Sequence, residues 1–291
     1  MQKTIILDGK KTAQRIKQQL KNQTDDLIKR GKTPGLAVII VGDDSASRIY
    51  VNLKKRACAE IGMYSEEYSM PENTTQDELL TLIEKLNKRN DIDGILVQSP
   101  LPGHINETAV IDAISIKKDV DAFHPVNVGK IMIGDYDFLP CTPAGVIELI
   151  HESGISIAGK DCVVIGRSNI VGKPMAMLLM HEHGTVTICH SKTKDLAQKV
   201  RNADIVVAAI GKAQFITGDM IKQGAVVIDV GMNRLEDNTL VGDVHFESCV
   251  EKAYAITPVP GGVGPMTIAM LMKNTLKSAV LSFESENRHD N

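Results

Sequence analysis

Tyr50 and Lys54 stand four residues apart in a stretch patterned as a helix, so they share one face. Gln98 closes an apolar run that reads as a strand, and Asp121 ends the triplet Asp119-Val120-Asp121 in what reads as the loop joining two domains. Partial burial lowers the pKa of a lysine and makes its neutral amine a base near pH 7. A lysine against an amide and near a cofactor is therefore suited to proton transfer. By spacing alone, the Tyr50/Lys54 pair describes an ordinary amphipathic helix with the lysine in solvent. The catalytic reading requires the helix start, the strand ends and the interdomain loop to converge on one cleft.

A second set of residues points to a nucleotide. Val163 to Ile165 reads as a strand, and Gly166-Arg167-Ser168-Asn169-Ile170-Val171-Gly172-Lys173-Pro174 turns from it into an apolar helix. Glycines at such a turn let backbone N–H groups meet a pyrophosphate at the positive end of a helix. The spacing departs from G-x-G-x-x-G, because Ser168 replaces the second glycine and Gly172 comes one position late. An NAD site carries an acid at the end of the next strand, roughly 20 residues on, for the ribose 2′-hydroxyl. Here that strand ends Cys189-His190-Ser191-Lys192-Thr193, without an acid. Arg167 and Ser191, with His190 or Lys192, suit a 2′-phosphate, which favours NADP over NAD; the plainer alternative is a solvated loop. Gly211 and the run Gly231-Met232-Asn233 also follow strands, at the carboxyl ends where a doubly wound sheet binds its ligand.

Thr257-Pro-Val-Pro-Gly-Gly-Val-Gly-Pro-Met-Thr267 holds three prolines and three glycines in eleven positions. It can continue neither a helix nor a central strand. It reads as a rigid turn, as a ligand wall, or as both: bare backbone at Gly261, Gly262 and Gly264 admits a flat ligand. Met266 to Phe283 is helix-compatible, with Pro265 suited to a first turn, and Glu284 to Asn291 reads as a frayed polar end.

The elements that must hold these residues alternate. A helix over Lys10–Arg30, a strand at Leu36–Val41, a helix reaching Ile61, a weaker strand at Tyr64–Met70, a helix over Thr75–Asn90 and a strand at Gly94–Gln98 form a βαβαβ unit with a parallel sheet. A second unit begins near Cys141 with a helix capped by Thr142, Pro143 standing at its first position. Strands then recur at Cys162–Ile165, Val186–Cys189, Ile205–Ala208, Val226–Val230 and Tyr254–Ile256, a doubly wound nucleotide-binding pattern. The fold class is α/β with two domains.

Hydrophobic residues make up 43% and charged residues 24%, ordinary for a globular chain. A net charge of −3, 3% aromatics and no Trp argue against a nucleic-acid partner. No apolar run reaches membrane-spanning length and the N-terminus lacks a signal-peptide pattern. Five cysteines, odd in number and without a Cys-x-x-Cys, fit a reducing cytosol. The eight histidines show no zinc-ligand spacing, so no metal is expected, and His181-Glu182-His183 reads as a solvated helix end.

Several segments together resemble the bifunctional methylenetetrahydrofolate dehydrogenase/methenyltetrahydrofolate cyclohydrolase family. They are Val41 to Lys54, Leu96-Val-Gln-Ser-Pro-Leu-Pro102, Lys118-Asp-Val-Asp121, Gly166-Arg-Ser168 and Thr257 to Thr267, in order over nearly the whole chain. The resemblance implies a folate-binding domain (1–120 plus 265–291) to which the C-terminal helix returns, and a Rossmann-type NADP-binding domain (121–264) that forms a homodimer. It implies a cytoplasmic enzyme of one-carbon metabolism, serving purine biosynthesis, that oxidises 5,10-methylenetetrahydrofolate with NADP and hydrolyses the methenyl product to 10-formyltetrahydrofolate. Lys54 would be the cyclohydrolase base, Gln98 its orienting partner, Tyr50 the residue that stacks on the folate, and Asp121 the acceptor for the pterin N–H groups. Pro260, Gly261 and Gly262 would line the folate pocket, and Gly166, Arg167, Ser168, Ser191 and Met232 would bind NADP. The family commonly has glycine where this chain has Ala122, which demands an unstrained φ there. Three rivals remain: a monofunctional dehydrogenase using Lys54 only for positioning, a non-catalytic NADP sensor, and a hydroxy-acid dehydrogenase, for which no histidine is well placed. The related synthetase activity is not expected, since no Gly-x4-Gly-Lys-Ser/Thr motif occurs.

Overall fold

The structure is a computed structural model that describes residues 3–289. Its elements begin with β1 (Ile5–Ile6) and α1 (Gly9–Lys29), where Ala13, Ile16, Leu20 and Leu27 make the buried stripe. β2 (Gly35–Val41) is buried at all seven positions because it is a central strand. After α2 (Ser45–Ile61), β3 (Tyr64–Met70) pairs with β2 in parallel; after α3 (Gln76–Asn87), β4 (Gly94–Val97) pairs with its other edge. The expected βαβαβ order is present. Asp44 caps α2 by accepting from Ser47 N, and Thr75 with Glu78 forms a capping box on α3. Leu79, Ile83 and Leu86 of α3 pack with Ile39, Ile92 and Ile95. Burial of each such side chain contributes about 1.5–3 kcal/mol relative to exposure.

Residues 103–139 add α4 (Glu107–Ala113) and α5 (Pro125–Ile133). Asp119 is not in a joining loop, as expected, but bridges in parallel to Ile95 of β4. Its buried carboxylate accepts from His124 N and Asn127 Nδ2, both at 2.8 Å, and from Phe123 N at 3.2 Å. Burial pushes that carboxyl up, against the pull of these donors. The turn they fix places Ala122 at φ 56, fully buried, which corrects the expectation of an unstrained φ. The hydrogen bonds gathered by the buried Asp119 carboxylate outweigh an αL cost for alanine of about 1–2 kcal/mol.

Lys118 Nζ donates to the carbonyls of Leu86 (3.0 Å), Asn87 (2.9 Å) and Arg89 (2.6 Å), closing the end of α3. Desolvation lowers its pKa. Lys118→Met is expected to destabilise this unit by about 2–3 kcal/mol, the cost of stripping charged donors from three shielded carbonyls. A urea denaturation midpoint equal to that of the parent would contradict it.

The remaining elements are α6 (Cys141–Glu152), β5 (Asp161–Ile165), α7 (Gly172–His181), β6 (Thr185–Cys189), α8 (Leu196–Asn202), β7 (Ile205–Ala208), β8 (Val226–Asp229), the antiparallel pair β9 (Asn233–Arg234) and β10 (Leu240–Val241), α9 (Phe246–Val250), β11 (Ala255–Ile256) and α10 (Val263–His289). A parallel sheet runs β1-β11-β8-β7-β5-β6. From β5 onward this is the 2-1-3-4-5 doubly wound order, whose switch point lies between β5 and β7. Thr142 does not cap α6: the helix begins at Cys141 with Pro140 at the cap and no side-chain bond. Pro143 still lies in the first turn, where the N–H has no intrahelical partner. α10 likewise starts at Val263, with Pro265 inside its first turn.

The chain divides into two compact units, Met1–Gln14 with Pro140–Thr267, and Arg15–Leu139 with Ile268–Asn291. Against the sequence division at 1–120, 121–264 and 265–291, the N-terminal residues go with the six-stranded sheet because β1 pairs with β11. Residues 121–139 stay with the β2–β4 unit: Asn274 Nδ2 of α10 donates to Val120 O (2.7 Å) and Leu139 O (2.8 Å). Ser278 Oγ bonds Asp93 O and Lys117 O in the same unit, so α10 does return to it. The helix continues through His289 instead of fraying from Glu284, with Arg30 stacked 5.0 Å from the Phe283 ring; the last two residues of that stretch lie outside the described residues.

Candidate active site

In the β2–β4 unit, α2 presents Tyr50 and Lys54 on one face, one turn apart, and both are half-buried. Gln98 follows β4, its N–H held by Ile39 O at 2.8 Å. Lys54 Nζ donates to Gln98 Oε1 at 2.9 Å, while Gln98 Nε2 donates to Ser99 O at 2.6 Å. The amide is therefore fixed at both ends. An amide oxygen orients an amine without adding the negative charge that a carboxylate would. Burial raises the pKa of the Tyr50 phenol, which keeps that ring neutral and suited to stacking.

Asp121 lines a small recess with Val97, Ser99, Leu101, Glu107 and Phe123. Ser99 Oγ donates to Glu107 Oε1 at 2.7 Å on the rim of that recess. Sequence reading passed over Ser99 and Glu107, which carry no distinguishing spacing. Asp119 and Asp121 both line the recess, and the carboxylate of Asp119 is buried and bonded to the backbone of Phe123 and His124 and to Asn127.

In the other unit, Gly166 follows β5 at φ 141, and a Cβ added there would lie 2.3 Å from Ala209 O. Only glycine permits the loops after β5 and β7 to touch this closely. Ser168 Oγ accepts from Val171 N and Gly172 N, each at 3.2 Å, and so holds the turn that leads into α7. Arg167 and Ser191 are exposed, and among the described residues Arg167 makes no ion pair. His190 Nδ1 accepts from Lys192 N at 3.1 Å, which ties that ring into a local turn. His190, Lys192, Thr193, Lys194 and Lys199 line a groove beside β6. Bare backbone at the switch point, an uncompensated guanidinium and basic side chains beyond β6 fit a phosphorylated dinucleotide. Met232 is half exposed in the loop after β8.

Pro260, Gly261 and Gly262 belong to this second unit. A Cβ on Gly262 would lie 2.6 Å from Pro258 O, and one on Gly9 would lie 1.7 Å from Gly262 O. Gly261 has φ 108. The path of the loop itself thus demands these glycines, as the rigid-turn reading expects.

Two buried aspartates were missed as site-builders. Asp243 accepts from Ile210 N (2.6 Å), Gly211 N (3.0 Å), Lys212 N (2.9 Å) and Asn233 Nδ2 (2.9 Å). Asp229, at the end of β8, accepts from Gly231 N, Asp243 N and Val244 N, each at 2.9 Å. Burial pushes the Asp229 carboxyl up to about 6.

Among the described residues no helix is long and apolar enough to cross a membrane. No group of three or more His, Cys, Asp or Glu among them is arranged to hold a metal ion.

Residues 7–121 match the tetrahydrofolate dehydrogenase/cyclohydrolase catalytic domain, and residues 140–283 match the NAD(P)-binding domain of the same family. The bifunctional protein FolD of Acetivibrio thermocellus is 66% identical over 276 residues, 95% of this chain and 97% of that one. The crystal structure of the bifunctional FolD methylenetetrahydrofolate dehydrogenase/cyclohydrolase from Campylobacter jejuni is 50% identical, with a TM-score of 0.93, over 96% of this chain and 99% of that one. The Trypanosoma brucei methylenetetrahydrofolate dehydrogenase-cyclohydrolase, solved with NADP and an inhibitor, is 41% identical with a TM-score of 0.93, over 97% of this chain and 99% of that one.

Proposed function

This chain belongs to the tetrahydrofolate dehydrogenase/cyclohydrolase family, and from that premise we propose how its residues divide the work. It is a bifunctional enzyme that oxidises 5,10-methylenetetrahydrofolate to the methenyl form with NADP and hydrolyses the product to 10-formyltetrahydrofolate. When bound, NADP supplies a hydride acceptor. The folate nitrogen lone pair expels hydride from the bridging carbon, so this step asks the protein for alignment more than for an acid or base. Hydrolysis asks for both. Lys54 takes a proton as water attacks the methenyl carbon and returns it to N5 as the carbon–N5 bond breaks, while the carbinol hydroxyl releases its proton to solvent and leaves the formyl group on N10.

The observation that carries this reading is the 2.9 Å bond from Lys54 Nζ to Gln98 Oε1, on an amide fixed at its other end by Ser99 O. Tyr50 stacks on the folate and Asp121 accepts from the pterin. Pro260, Gly261 and Gly262 offer backbone to the folate, while Gly166, Arg167, Ser168, Ser191 and Met232 hold NADP. The folate function falls to the unit of residues 15–139 and 268–291, and the dinucleotide function to the unit of residues 1–14 and 140–267. A homodimer is supported by β6, an edge strand with exposed Thr187 and Ile188. Five buried cysteines, none in a disulfide among the described residues, support a cytoplasmic setting, and the 10-formyl product suits purine biosynthesis.

The test is spectrophotometric. Methylenetetrahydrofolate with NADP should give NADPH at a kcat/KM about 10–100-fold above that with NAD, the worth of a charged contact to the 2′-phosphate. Hydrolysis of methenyltetrahydrofolate should proceed without either nucleotide. Equal use of NAD would sink the 2′-phosphate assignment, and absent hydrolysis would leave the monofunctional rival.

A further inference from the structure

The two buried aspartates are linked in series. Asp229 ends β8 and spends its carboxylate on the backbone of Gly231 and of Asp243-Val244, which follow β10. Asp243, fully buried, then spends all its acceptor capacity on the loop after β7 and on Asn233 of β9. Glycines surround them because nothing larger fits. A Cβ on Gly242 would lie 1.8 Å from Asp229 Oδ2, and one on Gly231 would lie 2.3 Å from Asp243 Oδ1. The chain of contact continues to the phosphate loop: Ala209, one residue before the Asp243-bound N–H groups, presents the carbonyl against which Gly166 rests.

Apart from its links to Asn233 and to the loop after β8, this arrangement has one consistent consequence. Three successive N–H groups, Ile210 to Lys212, converge on one carboxylate at the carboxyl end of β7, beside the switch point. Without an acceptor they would repel one another, and the loop would relax outward. We propose that Asp243, seated by Asp229, is a positioning residue for NADP: it sets the backbone path after β7 against which the Gly166 turn, and through it the dinucleotide, is registered. The proposal rests on the NADP-dependent reading above.

Asp243→Asn keeps the size of the side chain but cannot serve all four donors. Whichever way the amide turns, its NH2 faces two N–H donors. The KM and Kd for NADP should rise roughly 10–100-fold, as expected when two charge-assisted bonds fail and a loop shifts. Hydrolysis of methenyltetrahydrofolate, which needs no nucleotide, should stay at the parent rate and serve as the control for folding. Unchanged NADP affinity in a folded Asp243→Asn protein would overturn the proposal. So would an equal fall in hydrolysis, which marks a general structural loss. Should that variant not fold, Asn233→Ala removes a single donor from a partly exposed residue. A several-fold rise in NADP KM with hydrolysis retained would support the proposal; unchanged KM would overturn it. Failure of the underlying reading is distinguishable, because the parent protein itself would then not bind NADP.

Discussion

Lys54→Ala is expected to slow hydrolysis of methenyltetrahydrofolate by about 10²–10⁴-fold, the range that a positioned general acid–base contributes. Hydride transfer should fall far less, because the folate nitrogen supplies the electron push and the protein supplies alignment. The two activities therefore separate in a single variant. Lys54→Arg sharpens the test. Guanidinium keeps the charge and much of the reach but does not deprotonate in the working range, so it should preserve the dehydrogenase better than alanine while hydrolysis stays low. Gln98→Glu should also impair hydrolysis, because a carboxylate 2.9 Å from Nζ holds the amine charged. Both assays on purified protein decide the matter: hydrolysis at the parent rate in Lys54→Ala would remove the base from this site.

Gly166→Ala is expected to weaken NADP binding by on the order of 10²-fold, the cost of misplacing a binding element by about 1 Å. The added Cβ would lie 2.3 Å from Ala209 O and 3.0 Å from its carbonyl carbon, both backbone atoms that cannot swing aside. At φ 141 the alanine would also be strained. The loop after β5 must then separate from the loop after β7, opening the switch point where the dinucleotide binds. Lys54 and Gln98 lie in the other unit, so hydrolysis should survive. Isothermal titration with NADP beside the hydrolysis assay checks both halves; retained NADP affinity would show that the close approach of the two loops is dispensable.

Much of the architecture was legible because it rests on local periodicity. β2 announces itself as the apolar run Leu36–Val41, and α3 as the helix-patterned stretch from Thr75 to Asn90. The pairing of Tyr50 with Lys54 follows from helix geometry, and Gln98 from the end of a strand. β1 was not legible: two residues gain meaning as a strand only beside β11, about 250 positions away. Ala122 was not legible either, for a more local reason. Its left-handed backbone follows from the donors that Asp119 gathers from Phe123, His124 and Asn127, a turn that no periodicity announces.

What the sequence determined by itself, then, is which side chains are available and on which elements they ride: a lysine and a tyrosine on one helix face, an amide closing a strand, a glycine turn with a cation and no acid to follow. Tertiary structure alone decided how they are held. Asp229 and Asp243 lie fourteen residues apart, in sequence ordinary acids near turns, and only the convergence of loops after β7, β8 and β10 gives these buried carboxylates seven donors. The glycines at 166, 231, 242 and 262 follow the same logic, since what forbids a side chain there is an atom from a distant or folded-back stretch of chain. Periodicity is a property of neighbours along the chain, whereas desolvated hydrogen bonds and steric exclusion are properties of neighbours in space.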